Sequence, residues 1–181
     1  MIKEKTTVLE EEKLNRTVAR IAHEIVERNF DLSKIVLVGI LRRGVTFAKM
    51  LRDQIFEFEN VSVPMGVLDV SLYRDDLTEI GAKPIVKETE LGVEVANKNV
   101  ILCDDVIFTG RTARAAIDAT LSFGRPKTIQ LAVVVDRGHR ELPIKPDYVG
   151  KNIPTSLSEL ISVRFKEYDG ETRIVICENA D

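Results

Sequence analysis

The chain has 181 residues, 44% of them hydrophobic and 30% charged, the composition of an ordinary globular protein with enough apolar material for one real core. Its apolar runs are too short to cross a bilayer as a helix, which excludes a helical membrane protein. A net charge of −3 and a pI near 5.6 argue against a general nucleic-acid binder, so any RNA or DNA contact must rest on a local basic patch.

The opening "MIKEKTTVLEEEKL" has no apolar signal region and reads as mature and cytoplasmic. Residues 10–28 predict a helix with Leu14, Val18, Ile21, Ala22 and Ile25 on one core-facing side. Arg16, Arg20, His23 and Glu27 fall on the opposite face, with Arg28 beside them; by composition alone this is a solvated face. "KIVLVGI" (34–40) is a β-branched run ending in Gly, the pattern of a buried parallel strand. Residues 45–58 have helical spacing, and 61–73 read as strand, interrupted at Pro64 and Gly66. The polar stretch 75–92 predicts a long loop of the lid or binding kind.

"NVILCD" (99–104) is a second buried strand, and 111–124 a helix closed by Gly124 with Pro126 just beyond. Residues 128–136 form a third buried strand, and 147–150, 160–165 and 173–177 shorter ones. There is no internal repeat, low-complexity tract or linker. The two cysteines, Cys103 and Cys177, share no metal-type spacing, and Cys103 reads as a reduced, buried thiol. Strands alternating with helices predict an α/β fold with a mostly parallel central sheet, whose ligands bind at the carboxyl ends of the strands. "GILRRG", "DDVIFTGRT" and "DRGHREL" all fall there.

In "VILCDDVIFTGRT" an apolar strand runs into Asp104 and Asp105, then into Thr109, Gly110, Arg111 and Thr112 at a helix start. Gly110 permits the turn, and the helix N-terminus with two threonine hydroxyls makes an anion cradle without the spacing or lysine of a P-loop. Thr112 also fits a simple N-cap. Two adjacent carboxylates beside a phosphate call for a ligand that offers hydroxyls between them, as a ribose 5-phosphate does; the alternatives are a Mg²⁺-binding acidic pair or a solvated strand end. In "GILRRG", Arg42 and Arg43 between glycines suit a diphosphate, or form a solvated basic turn. His139, one of two histidines, has no partner ligands at metal spacing.

The motif "VILCDDVIFTGRT" resembles the phosphoribosyl-pyrophosphate (PRPP) site of type I phosphoribosyltransferases. "RIAHEIVERN", "LVGILRRG", "LYRDDL", "VDRGHRELPI" and "YVGKNIPTS" extend the resemblance over nearly the whole chain. They match the bacterial family that combines pyrimidine-operon attenuation with uracil phosphoribosyltransferase activity. Cys103 and Leu41 depart from that pattern, which has an aliphatic and a small polar residue there. The resemblance implies a single domain over 1–181, with a core of about 30–140 and with the N-terminal helix and 145–181 contributing to a small hood and the sheet edge.

It also implies roles. Asp104 and Asp105 hold the PRPP ribose and act in catalysis; Thr109, Gly110, Arg111 and Thr112 bind the 5-phosphate. Leu41, Arg42, Arg43 and Gly44 form the pyrophosphate loop, with the Leu41–Arg42 peptide in an unusual conformation. Ser71, Tyr73 and Arg74 belong to a flexible loop that closes over PRPP. Val135, Asp136 and Arg137 receive uracil, with Arg137 stacking on it or orienting it. Arg20, His23 and Arg28, extended by Arg140 and Lys151, form an RNA-binding face. The implied cofactor is Mg²⁺, held mainly by PRPP, with Asp104 and Asp105 as candidate protein ligands. The implied partners are PRPP, uracil, UMP, UTP as a further ligand, the leader mRNA of the pyrimidine operon, and other copies of the chain in a homodimer or higher homo-oligomer. The rival functions are a salvage enzyme without RNA regulation, for uracil or less readily a purine, and a regulator without catalysis.

Overall fold

The computed structural model describes residues 2–71 and 91–179. In chain order these form β1 (Ile2–Glu10), α1 (Glu11–Arg28), a 3₁₀ turn (Leu32–Lys34), β2 (Ile35–Ile40), α2 (Arg43–Glu59) and β3 (Met65–Leu68). After the gap come β4 (Asn99–Ile107), α3 (Arg111–Ser122), β5 (Thr128–Asp136), β6 (Tyr148–Asn152), β7 (Glu159–Arg164), α4 (Lys166–Asp169) and β8 (Arg173–Asn179). The central sheet has five parallel strands in the order β3-β2-β4-β5-β6. A second sheet, β1-β8-β7, is antiparallel and forms the small hood.

The central strands are apolar on both faces because helices cover both. Ile35, Leu37, Ile101, Cys103, Ala132 and Val134 pack with α1 and α2, while Val36, Val38, Val100, Leu102, Leu131 and Val133 pack with α3. That is the period-two alternation of a doubly covered sheet. The expected apolar face of α1, Leu14, Val18, Ile21, Ala22 and Ile25, is buried. On the other face Ala113, Ala115, Ala116 and Ala119 let α3 lie close to the sheet.

Three strands differ from the sequence expectation. The strand sought over 61–73 is only Met65–Leu68; Pro64 offers no N–H, and its carbonyl accepts from Leu37 N–H at 3.0 Å just before pairing begins. Strand β4 runs on past Asp104 to Ile107, so both aspartates lie within it. Strand β1 was not foreseen, since its first five residues are exposed and its partner β8 lies at the far end of the chain. Most of the expected 75–92 loop, with Tyr73 and Arg74, lies outside the described residues.

Both cysteines are free and buried, and burial pushes the Cys103 thiol well above its ordinary range. The thiolate is the reactive form. We therefore expect a thiol-titrating disulfide reagent to find no fast-reacting thiol in the native protein and both cysteines after unfolding. Rapid native labelling of Cys103 would contradict this packing.

Candidate active site

The carboxyl ends of β2, β4 and β5 bring the three singled-out segments together. Along β4, Asp105 N–H donates to Asp104 Oδ1 at 2.9 Å, and Val106 N–H donates to Asp105 Oδ1 at 2.9 Å. Each carboxylate is thus fixed by the next peptide. Burial pushes the Asp105 carboxyl above the usual carboxylate range; its hydrogen bonding with Asp104, the Val106 N–H and the charge of Arg43 pull the other way. A ligand that brings hydroxyl donors or a cation relieves that cost.

The turn into α3 follows at once. Gly110 sits at φ 94° as the N-cap, a conformation that glycine adopts at no steric cost. Arg111 N–H donates to Thr109 Oγ1 at 3.3 Å. The first helical bond runs from Arg114 N–H to Gly110 C=O at 2.9 Å, so the N–H groups of Thr112 and Ala113 precede the ladder. The loop after β5 buttresses this turn. Thr109 C=O accepts from Glu141 N–H at 2.9 Å and Leu142 N–H at 3.1 Å, and the Arg111 guanidinium pairs with Glu141 at 2.7 Å. A cavity of about 430 Å³ opens here, lined by Asp104, Thr109, Gly110, Arg111 and Thr112 over Leu131 and Val133.

On the β2 side the Leu41–Arg42 peptide is cis. Gly44, in the first turn of α2, lies directly on β4: a Cβ there would stand 2.2 Å from the Cys103 carbonyl oxygen and 3.2 Å from Asp104 Cα. The loop 40–43 is therefore locked beside the aspartates. Arg42 is exposed and makes no ion pair among the described residues, whereas Arg43 reaches away to Asp169 of α4 at 2.7 Å. Ser71 is exposed, its N–H donating to Asp69 Oδ1 at 3.0 Å.

At the end of β5, Val135 is buried and Asp136 borders an open depression of about 450 Å³ with Gly138, His139, Arg140, Asn152 and Pro154. Along the carboxyl ends of the sheet the acidic pair of β4 thus stands between the 40–43 loop after β2 and the depression at the end of β5, with the α3 turn and its cavity directly after it. A family model described as phosphoribosyl transferase domain matches residues 5–169. The chain belongs to the phosphoribosyltransferase family. Among its relatives, the bifunctional protein PyrR of Pelotomaculum thermopropionicum is 55% identical over 181 residues, covering 100% of both chains. PyrR of Clostridium novyi is 55% identical over 174 residues, 96% of this chain and 98% of its own. A Bacillus anthracis hypoxanthine-guanine phosphoribosyltransferase structure shares the fold, with TM-score 0.74 at 24% identity over 98% of this chain and 99% of its own.

In this phosphoribosyltransferase some expected residues do other work. Arg137 is 4% exposed; its guanidinium lies 4.1 Å from the Phe108 ring centroid and donates to Thr155 Oγ1, Ser156 C=O and Glu159 C=O. Its guanidinium lies over the protein's own Phe108 ring, where the expectation was that it stacks on uracil or orients it. Arg140, expected to extend the RNA face, donates to Ile144 C=O, to Phe108 C=O of the β4–α3 turn and to Asp136. Arg20, His23 and Arg28 are exposed on α1, Arg20 and Arg28 toward β6 and the residue before it, His23 toward α2. Arg20 donates to the β6 carbonyls of Val149 (3.0 Å) and Gly150 (2.7 Å), which brings it beside exposed Lys151. His23 stacks on Phe58 with centroids 3.9 Å apart, and Arg28 pairs with Asp147 at 2.7 Å. Glu141 and Phe108 were missed as site residues. Their partners lie about 30 positions away, Arg111 for Glu141 and Arg137 for Phe108, and only the presence of both motifs at strand ends hinted at contact.

Proposed function

We propose that this protein is a UMP-responsive, RNA-binding regulator of pyrimidine-operon attenuation that also converts uracil and PRPP to UMP and diphosphate. The observation that carries the catalytic half is the acidic pair of β4 set between the glycine-opened turn of α3 and the locked loop of β2. It is a cytoplasmic protein, and the hood strands β7 and β8 share a core with the central sheet, which supports reading 1–181 as one domain.

In the reaction the uracil N1 lone pair forms the new bond to the anomeric carbon, the C–O bond to diphosphate breaks, and the N1 proton passes to solvent. Thr109, Thr112 and the N–H groups at the start of α3 anchor the 5-phosphate. Asp104 and Asp105 accept hydrogen bonds from the ribose hydroxyls and favour the positive charge that develops on the ring. Arg42 faces the departing diphosphate, and Ser71, Tyr73 and Arg74 complete its donors. Asp136 and the backbone of Val135 and Arg137 border the base, while the Arg137 side chain fixes the floor through Phe108. Positioning supplies most of the acceleration. The paired carboxylates fit a divalent cation delivered by PRPP, and no cluster of three or more metal-ligand side chains stands among the described residues. Asp104 and Asp105 would hold such a Mg²⁺, which would supply positive charge against the leaving diphosphate.

The regulatory half rests on the α1 face. The Arg20–Glu24 pair is an exposed i,i+4 contact, worth about 0.3–0.5 kcal/mol, little enough for an RNA phosphate to displace. Arg20, His23, Arg28 and Lys151 then contact phosphates and unpaired bases of a leader hairpin, and UMP or UTP in the PRPP site biases the affinity. A homodimer or higher homo-oligomer doubles the patch. The rival reading, a salvage enzyme without RNA binding, draws on the internal commitments of these same side chains.

A base panel tests the catalytic half: uracil is converted with PRPP, and hypoxanthine and guanine are not. Conversion of a purine in preference to uracil would overturn it. For the RNA half, Arg20→Ala is expected to weaken leader binding and to lower the slope of log affinity against log salt by about 1. An unchanged slope would remove Arg20 from the interface.

A further inference from the structure

Arg43 lies in the diphosphate loop yet turns its guanidinium away from it, to a helix of the hood. Its Nη2 donates to Asp169 Oδ1 at 2.7 Å, and the other oxygen of Asp169 accepts from Phe165 N–H at 2.9 Å. Asp169 is held below the ordinary carboxylate range although burial works against it, because Arg43 and the Phe165 peptide both favour its charge. One turn further along α2, Thr46 Oγ1 donates to Glu167 Oε2 at 2.8 Å, and Lys49 stands 3.4 Å from Glu167 Oε1. The first turn of α2 is thus gripped from two sides. Gly44 presses it onto the β4 backbone at Cys103 and Asp104, and the short helix α4 holds it from the hood with two carboxylates.

We propose that Asp169 is a positioning residue for diphosphate binding, acting through Arg43. It fixes the start of α2, and with it the Leu41–Arg42 segment, over the Asp104–Asp105 pair. It also keeps Arg43 out of the diphosphate site, so that Arg42 is the guanidinium of this loop that meets the leaving group. The proposal rests on reading 39–44 as the diphosphate loop. Asp169 itself touches no substrate.

The test is the affinity for PRPP and for inorganic diphosphate by titration calorimetry, together with steady-state kinetics, for the full-length wild type, Asp169→Asn and Asp169→Glu. Asp147→Asn, which removes an ion pair to Arg28 elsewhere in the fold, is the control for general destabilisation. In Asp169→Asn the Kd for PRPP and diphosphate and the KM for PRPP should rise roughly tenfold, below the about 10²-fold cost of a full ångström of misplacement. The KM for uracil should stay put, Asp169→Glu should recover most of the loss, and Asp147→Asn should lower Tm without moving either KM. Unchanged or tighter PRPP binding in Asp169→Asn would overturn the proposal. So would a loss shared equally between PRPP and uracil, or one reproduced by Asp147→Asn. A wild type that binds neither PRPP nor diphosphate would overturn the reading of the loop, and this proposal with it.

Discussion

Replacing Asp104 and Asp105 together by asparagine is expected to cut the rate of UMP formation by about 10²–10³-fold, the usual cost of removing a preorganised electrostatic partner of the transition state. The substitution keeps the shape of the site. Each asparagine oxygen can still accept the N–H of the next residue, as Asp104 Oδ1 and Asp105 Oδ1 now do at 2.9 Å. What disappears is the negative charge that the proposed mechanism sets beneath the ribose. Stability should move the other way. Burial raises the Asp105 carboxyl above its ordinary value of 3.8, so the native state carries a cost for ionising it. That cost grows as pH rises from the unfolded value through the higher folded one, and it is fully present only above the folded one. At pH 7 the doubly substituted protein should therefore melt no lower than the wild type while losing its activity. A variant that loses activity only because it unfolds would show a lowered Tm, and that result would leave the carboxylates with a structural role.

The second large effect is expected at Gly44. Its missing side chain lets α2 begin against the Cys103 carbonyl, where a methyl group would stand at 2.2 Å. The three atoms nearest that contact are all backbone, so none can swing aside. In Gly44→Ala the helix start must lift off β4, at about 1–3 kcal/mol of overpacking strain. The same movement carries Arg42 away from the acidic pair, and an ångström of misplacement costs on the order of 10²-fold in rate. Urea unfolding should show a lower midpoint with an unchanged slope. The loss of kcat/KM for PRPP should exceed what the unfolded fraction explains. A stable, fully active Gly44→Ala would mean that this junction has slack.

The parts legible in the sequence were those written in local pattern. The central strands announced themselves by apolar runs bounded by glycine and polar turns, and α1 by the spacing of Leu14, Val18, Ile21 and Ile25. The acidic pair and the TGRT turn were legible because chemistry at a strand–helix junction is compressed into a few consecutive residues. Illegible parts depend on distant partners. Strand β1 is mostly exposed and is a strand because β8 pairs with it across the length of the chain. Arg43, Arg137 and Arg140 each sit in a motif that suits a ligand, yet their guanidiniums meet Asp169, Phe108 and Asp136 instead. A sequence names the cation but not which of several anions or rings will be nearest to it. Helix α4, four residues long, has no periodicity to detect.

The central claim is that one protein joins a nucleotide site to an RNA face. The most direct test is filter binding to a labelled pyrimidine-operon leader hairpin over a salt series, with and without UMP. Specific binding that is strengthened by UMP and steeply weakened by salt is the expected result. Binding no tighter than to an unrelated RNA, with or without UMP, would contradict the claim and leave a uracil-salvage enzyme.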